Sequence, residues 1–277
     1  MQFHTIHDIV LPGAAGRPLL ADRTAPIADP RPTTVVFVHG FKGFKDWGCW
    51  PLMARTIAGR GYPVVRVNLS HNGTTVRDPA AFGDLEAFGQ NTYSKELFDV
   101  RTVIDHVNTD AVFGPARDVV LMGHSRGGGI AILAAENDDR VRYLALLASV
   151  ADLDRFGSAS EIDAWRRAGV RTIPNARTKQ EMPQLFDLYR DFAENRTAFD
   201  IGRALAAIDI PVTAWHGTAD PAVDVEAARK IASWARNGEA VVLDGVDHVF
   251  GARHPWHDED LPEPLARVVD DLLSRLD

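Results

Sequence analysis

The stretch Val119-Val120-Leu121-Met122-Gly123-His124-Ser125-Arg126-Gly127-Gly128 decides how this chain is read. Its apolar run predicts a buried strand, and Gly128 to Glu136 continues as an apolar helix. Between them, glycines flank Ser125 and allow a turn too tight for larger residues. A strand running through such a turn into a helix lifts the serine hydroxyl into a strained, exposed position, the geometry of a nucleophile elbow. Ordinary glycine and serine usage produces a bare Gly-x-Ser-x-Gly by chance, so the flanking elements and partners elsewhere must carry the reading.

Outward from the elbow, short apolar runs alternate with longer helix-like stretches, the pattern of a mostly parallel sheet covered on both faces. Strands are predicted at Thr33 to Val38, Pro63 to Leu69, Asp118 to Met122, Tyr143 to Leu147, Val212 to His216 and Ala240 to Leu243. Helical spacing of apolar residues marks Trp50 to Arg60, Ser94 to Val107, Gly128 to Glu136, Asp224 to Arg236 and Glu263 to Leu276. Phe3 to Leu11 and Pro18 to Ala25, parted by Pro12-Gly13-Ala14-Ala15-Gly16, read as an antiparallel hairpin opening the sheet. The connection from Ala148 to Pro211, about sixty residues, is too long for a strand-to-helix turn. Glu161 to Ala168, Pro183 to Asn195 and Phe199 to Ile208 read as helices within it. The expected organisation is a core domain of residues 1–152 and 210–277 with a helical cap insertion at 153–209.

The 277 residues, 45% hydrophobic and 25% charged, suffice for one large α/β domain and a full core. A net charge of -8 comes without an acidic block or a basic patch, so neither nucleic acid nor an anionic membrane is expected as a partner. Cys49 is the single cysteine, which excludes a disulfide framework and a thiol zinc cluster. No basic segment followed by an apolar stretch opens the chain and no apolar run reaches membrane-spanning length, so a cytoplasmic location is the default expectation. His254-Pro255-Trp256-His257 is the nearest approach to a metal cluster, but proline breaks the spacing. No metal and no cofactor are expected.

A serine hydroxyl needs a base to take its proton, and the base needs an acid to fix its tautomer. The strand ending at His216 runs into Gly217-Thr218-Ala219-Asp220-Pro221, and the strand ending at Leu243 runs into Asp244-Gly245-Val246-Asp247-His248. Asp220 and His248 therefore sit in loops past the C-terminal ends of strands, where active sites of open α/β sheets gather. Asp152 and Asp224 are rivals for the acid, Asp224 reading better as a helix N-cap. His71, His106, His124, His216 and His254 are rivals for the base. Charge developing on a substrate carbonyl needs backbone donors, each worth about 3 to 4 kcal/mol. One is the Arg126 N–H at the start of the helix; the loop His39-Gly40-Phe41-Lys42-Gly43 offers the Phe41 N–H as the second. His39 then reads as a brace for that loop.

His39-Gly40-Phe41, Gly123-His124-Ser125-Arg126-Gly127-Gly128, His216-Gly217-Thr218-Ala219-Asp220 and Gly245-Val246-Asp247-His248 together resemble the α/β-hydrolase-fold serine hydrolases, in the order Ser, Asp, His along nearly the whole chain. The resemblance implies a mostly parallel eight-stranded sheet, a Ser125-Asp220-His248 triad and acyl transfer through an acyl-enzyme. Within that superfamily the chain is similar to small carboxylesterases of the feruloyl and cinnamoyl esterase type and to the dienelactone hydrolase and acyl-peptidase-like branch. It departs from dienelactone hydrolases, whose nucleophile is usually cysteine, because Cys49 lies far from an elbow. The expected substrate is a small to medium acyl ester or thioester. A small serine peptidase and a non-catalytic ligand receptor on the same fold are the alternatives, and oligomeric state stays open.

For the substrate pocket, Lys42 and Trp47 lie in the loop adjoining the proposed oxyanion donors, while Trp165, Met182, Phe186 and Tyr189 supply apolar surface from the cap. Lys42 and Lys45 are candidates for a substrate carboxylate or phosphate, with solvated surface charge the plainer reading, and the Arg126 side chain is expected to meet a cap acid such as Asp154.

Overall fold

In the computed structural model, which describes residues 2–114 and 116–277, the opening hairpin is β1 (Phe3–Pro12) and β2 (Pro18–Pro26). Then follow β3 (Thr33–Val38), α1 (Trp50–Gly59), β4 (Val64–Asn68), α2 (Leu85–Gly89), α3 (Tyr93–Thr109), β5 (Asp118–His124), α4 (Arg126–Ala135) and β6 (Val141–Leu147). The segment between β6 and the next sheet strand holds α5 (Ala159–Ala168), β7 (Val170–Pro174), β8 (Glu181–Leu185), α6 (Asp187–Glu194) and α7 (Ile201–Ala207). The chain closes with β9 (Pro211–Gly217), α8 (Glu226–Trp234), β10 (Asn237–Leu243) and α9 (Glu263–Leu276).

Among the described residues eight strands form one sheet in the order β1-β2-β4-β3-β5-β6-β9-β10. β2 pairs antiparallel with both neighbours, and every pairing from β4 to β10 is parallel. This is the α/β-hydrolase fold that the motifs imply. Strand alternation sends Val36, Val38, Val119 and Leu121 to the face covered by α3, α4 and α8, and Val35, Phe37, Val120 and Met122 to the face covered by α1 and α9. Burial on both faces is why these strands are nearly continuous apolar runs.

Strand order turns back between β3 and β5: β4 lies on one side of β3, β5 on the other. The loops leaving the C-terminal ends of β3 and β5 consequently separate to opposite faces and leave a crevice between them. The Gly40-Phe41 loop and Ser125 border that crevice.

The insertion differs from the sequence expectation at one place. Pro183 to Leu185 belongs to a two-stranded antiparallel hairpin, β7 with β8, and the helix begins only at Asp187. Proline is tolerated at the first turn of a helix, so Pro183 did not exclude one. In a two-stranded ribbon both strands are edges, and the missing N–H of Pro183, opposite Thr172, disrupts no inner ladder. Burial alternates along β8, with Met182 and Gln184 inward, a period of two rather than 3.6. The short helix α2 is a further element that apolar spacing did not disclose.

Candidate functional site

Ser125 has φ 56° and ψ -121°, a left-handed strain at the junction of β5 and α4. The neighbouring backbone explains why the turn needs glycine. A Cβ on Gly127 would stand 2.4 Å from the His39 carbonyl oxygen and 2.5 Å from that of Val38. A Cβ on Gly40 would stand 2.9 Å from the Ser125 Cβ. Two glycines thus let the loop after β3 and the turn after β5 lie backbone against backbone. Among the described residues the Phe41 N–H has no acceptor, and the Arg126 N–H is one of the orphan donors at a helix start.

Buried groups hold the loop after β3 from beneath. His39 Nδ1 donates to the Gly40 carbonyl at 2.8 Å, and Asn72 Nδ2 donates to His39 Nε2 at 3.3 Å. Burial first, then the charge of Arg126, depress the His39 imidazole from 6.5 to about 4, so it stays neutral and keeps both bonds. Further along the loop Lys45 is 2% exposed, with Nζ 2.8 Å from Asp22 and 2.6 Å from Asp46. Arg66 joins the same two carboxylates at 3.1 and 2.6 Å. Lys45 is therefore an anchor of the loop and does not reach a substrate anion.

Asp220 and His248 meet. His248 Nδ1 donates to Asp220 Oδ2 at 2.6 Å, which leaves Nε2 as the unprotonated nitrogen of a neutral ring. The other carboxylate oxygen accepts the N–H groups of Ala222 at 2.7 Å and Val223 at 3.0 Å, while His216 Nε2 stands 3.1 Å from Oδ2. Burial pushes the Asp220 carboxyl up, but the bonds from His248, Val223 and Ala222 outweigh it and hold the group below the ordinary carboxylate range. The rivals have other roles. Asp224 accepts the Glu226 N–H, Asp152 accepts the Asp154 N–H, and His216 is fully buried behind Asp220. His124 donates from Nε2 to the His248 carbonyl at 2.9 Å, its ring tilted 53° to that of His248 at 4.8 Å. Burial followed by the His248 charge lowers its own value to about 3.

Ser125 and His248 lie on the walls of two adjoining cavities. The first, about 370 Å³, is roofed by the cap and lined by Tyr93, Arg126, Arg155, Phe156 and Arg171 among others. The second, about 280 Å³, is bounded by Phe41, Trp47, Trp50, Arg177 and Val249. Lys42 and Phe41 border both. Two of the six sequence candidates for the pocket, Lys42 and Trp47, are thus on a cavity wall.

The four cap candidates are not. Trp165 is 3% exposed, packs against Phe186 and donates from Nε1 to the Gln184 carbonyl at 2.9 Å. Met182 is buried with Phe44, Phe82 and Phe88 beneath the hairpin. Phe186 and Tyr189 pack on each other at 5.3 Å against the core cluster. A cap must bury an apolar face to stay docked, and these side chains serve that need. The Arg126 guanidinium pairs with Glu96 of α3 at 3.4 Å, not with Asp154, whose partner is Arg196. Tyr93, Arg155 and Arg171 were missed as lining residues. Alternation in Val170-Arg171-Thr172-Ile173 was the available signal, since it puts Arg171 and Ile173 on one strand face and both line the first cavity. Cys49 lies buried at the start of α1, its thiol pushed up to about 12 by burial.

No curated protein matches the chain. Residues 35–270 match the family model described as the alpha/beta hydrolase family. Among solved structures the chain is similar to a putative hydrolase from Agrobacterium vitis S4, with 20% identity over 100% of both chains and a TM-score of 0.73. It is similar to Est1E from Butyrivibrio proteoclasticus, solved with ferulic acid bound, at 19% identity over 97% of this chain and 98% of that one, TM-score 0.70. Mouse alpha/beta hydrolase domain-containing protein 10 gives 16% identity over 98% of this chain and 100% of that one, TM-score 0.71. At these identities the structures speak for the fold.

Proposed function

The chain belongs to the alpha/beta hydrolase family, and from that premise we propose that it is a serine hydrolase cleaving a carboxylic ester or thioester of a small to medium acyl group. The observation that carries this reading is the 2.6 Å bond between His248 Nδ1 and the buried Asp220 carboxylate, with His248 and the strained Ser125 on the wall of one cavity.

In this reading His248 Nε2 takes the Ser125 proton as Oγ attacks the substrate carbonyl carbon. Asp220 holds the ring in the tautomer that leaves Nε2 free and stabilises the imidazolium. The N–H groups of Phe41 and Arg126 receive the oxyanion, and among the described residues neither has another acceptor to release first. His248 then gives the proton to the departing alcohol or thiol, leaving an acyl ester on Ser125. Water, deprotonated by the same nitrogen, attacks that ester and frees the acid.

Fluorophosphonate labelling together with turnover of p-nitrophenyl butyrate tests the reading. The expected result is one labelled site and hydrolysis, both lost in Ser125→Ala. An unlabelled, inactive wild type, or a Ser125→Ala protein labelled as before, overturns it. Aminoacyl anilides included in the panel separate esterase from peptidase chemistry.

A further inference from the structure

The walls of the first cavity carry positive charge that the protein neutralises only in part. Lys42, Arg126, Arg155 and Arg171 line it, and among the described residues no aspartate or glutamate does. They arrive from four separate elements: the loop after β3, the start of α4, the segment entering the cap, and β7. The chain as a whole is acidic, at -8, so a cluster of four cations around one cavity runs against its overall charge.

Their present partners are mostly neutral. Lys42 Nζ donates to the Pro174 carbonyl at 3.2 Å, and Arg155 to the Ala222 carbonyl at 2.8 Å. Arg171 donates from Nε to the Gln184 side-chain oxygen at 2.9 Å and from NH1 to the Phe156 carbonyl at 3.0 Å. Arg126 alone has a carboxylate, Glu96 at 3.4 Å, and Glu96 also accepts from Asn91. Aromatic faces orient two of the guanidinium groups without cancelling their charge: Arg126 lies 4.0 Å from the Phe41 ring and Arg171 3.8 Å from Trp165. The groups feel one another. Burial and then the charges of Arg126 and Arg177 hold the Lys42 ammonium below the usual lysine range, and burial with a contribution from Arg126 does the same for Arg171.

The second cavity is of another kind. Phe41, Trp47, Trp50 and Val249 give it apolar wall beside Lys42 and Arg177, and Ser125 and His248 line both cavities. A substrate spanning both would place its apolar part among the tryptophans and a negative group beneath the cap.

Resting on the serine hydrolase reading, we infer that the natural ester or thioester is anionic: it carries a carboxylate or phosphate on one side of the scissile bond, received in the first cavity by Arg171, Arg155, Arg126 and Lys42, and an apolar group on the other. Planar guanidinium groups match both anions through paired hydrogen bonds, which are stronger at the half-buried Arg126 and Arg171 than at the exposed Arg155.

The test compares matched esters on the purified full chain. Mono-4-nitrophenyl adipate and 4-nitrophenyl 5-phosphonopentanoate are set against 4-nitrophenyl hexanoate, placing the anion on the acyl side. Butyrate esters of 4-hydroxybenzoate and of 4-hydroxybenzamide place it on the alcohol side. In at least one set the anionic ester is expected to have a kcat/KM about 10- to 100-fold above its neutral partner. The adipate and phosphonate arms tell carboxylate from phosphate. That ratio is expected to fall toward one in Arg171→Gln and in Arg155→Gln, to shrink as salt is raised from about 0.05 to 0.5 M, and to hold in Arg196→Gln, whose side chain pairs with Asp154 elsewhere. Arg155 braces less of the cap than Arg171, so its variant decides the matter if Arg171→Gln misfolds.

Equal rates across every pair, with Ser125 labelled, overturn the inference and leave the hydrolase reading intact. Calorimetric binding of adipate and 5-phosphonopentanoate to Ser125→Ala addresses the opposite case. Salt-sensitive binding weakened by Arg155→Gln, in a protein without turnover or labelling, supports the cationic site and overturns the hydrolase reading. No binding and no preference overturn the inference whatever Ser125 does.

Discussion

Two parts of the molecule enclose the space beside Ser125, and they are held by different forces. Along the C-terminal edge of the sheet, backbone lies on backbone: the Gly127 Cα faces the His39 carbonyl with no room for a methyl group, and Gly40 lies against Ser125. In the cap, side chains pack on side chains. Phe156 sits 5.1 Å from Phe192 and 5.2 Å from Tyr189, and Trp165 reaches across to the Gln184 carbonyl. Backbone packing allows one residue type at a position, whereas side-chain packing accepts any set of volumes that fills the space. In the proposed hydrolase the edge fixes where atoms react, and edge and cap together line the space that receives the substrate.

Asp220→Asn at the sheet edge breaks that comparison most severely. The amide offers a donor where His248 needs an acceptor, and the ring loses its tautomer. A fall of about 10⁴-fold in kcat is expected with little change in KM, measured on p-nitrophenyl esters; a loss under tenfold refutes the assignment of Asp220.

Paired substitutions sharpen the contrast in stability. Gly127→Ala drives a methyl into two carbonyl oxygens and is expected to cost about 2 to 3 kcal/mol, together with most of the activity. Trp165→Phe in the cap keeps most of the volume, loses one buried hydrogen bond, and should cost about 1 kcal/mol. Urea unfolding of both variants reads the difference, and equal costs would remove the distinction between edge and cap.

Acidity probes the edge through its buried histidines. His39 and His124 titrate near 4 and 3 in the folded protein against 6.5 in the free side chain. As pH falls below about 6.5 the unfolded chain takes up protons that the folded one refuses, so stability present above 6.5 declines down to those folded values. Melting temperatures between pH 7.5 and 4.5 should fall more steeply in wild type than in His39→Gln. Parallel slopes would mean that His39 is not held neutral by the fold.

The same contrast explains what could be read from the amino acids. The strained turn at Ser125 and the meeting of Asp220 with His248 were legible because strand ends, turns and glycines leave few alternatives at the sheet edge. The strands of the sheet were legible because burial on both faces makes them continuously apolar. Trp165, Met182, Phe186 and Tyr189 were legible as core or as pocket wall but not as one of the two, since a large apolar side chain looks the same in a sequence whether it faces a ligand or a helix. β8 was hidden because Met182-Pro183-Gln184-Leu185 is too short to tell a period of two from one of 3.6. Arg155 and Arg171 were hidden because a charged residue in a connecting segment ordinarily faces solvent, and only tertiary placement brings them to one cavity.

The close seat of Gly127 against the loop after β3 also bears on how such a chain changes over generations. A single replacement there meets immovable backbone, so variants at the edge must arise in concert or be discarded. Replacements in the cap are absorbed one at a time by neighbouring side chains. In the proposed hydrolase, the part of substrate preference set by the cap is thus open to gradual drift, while the strained turn at Ser125 is inherited with its neighbours.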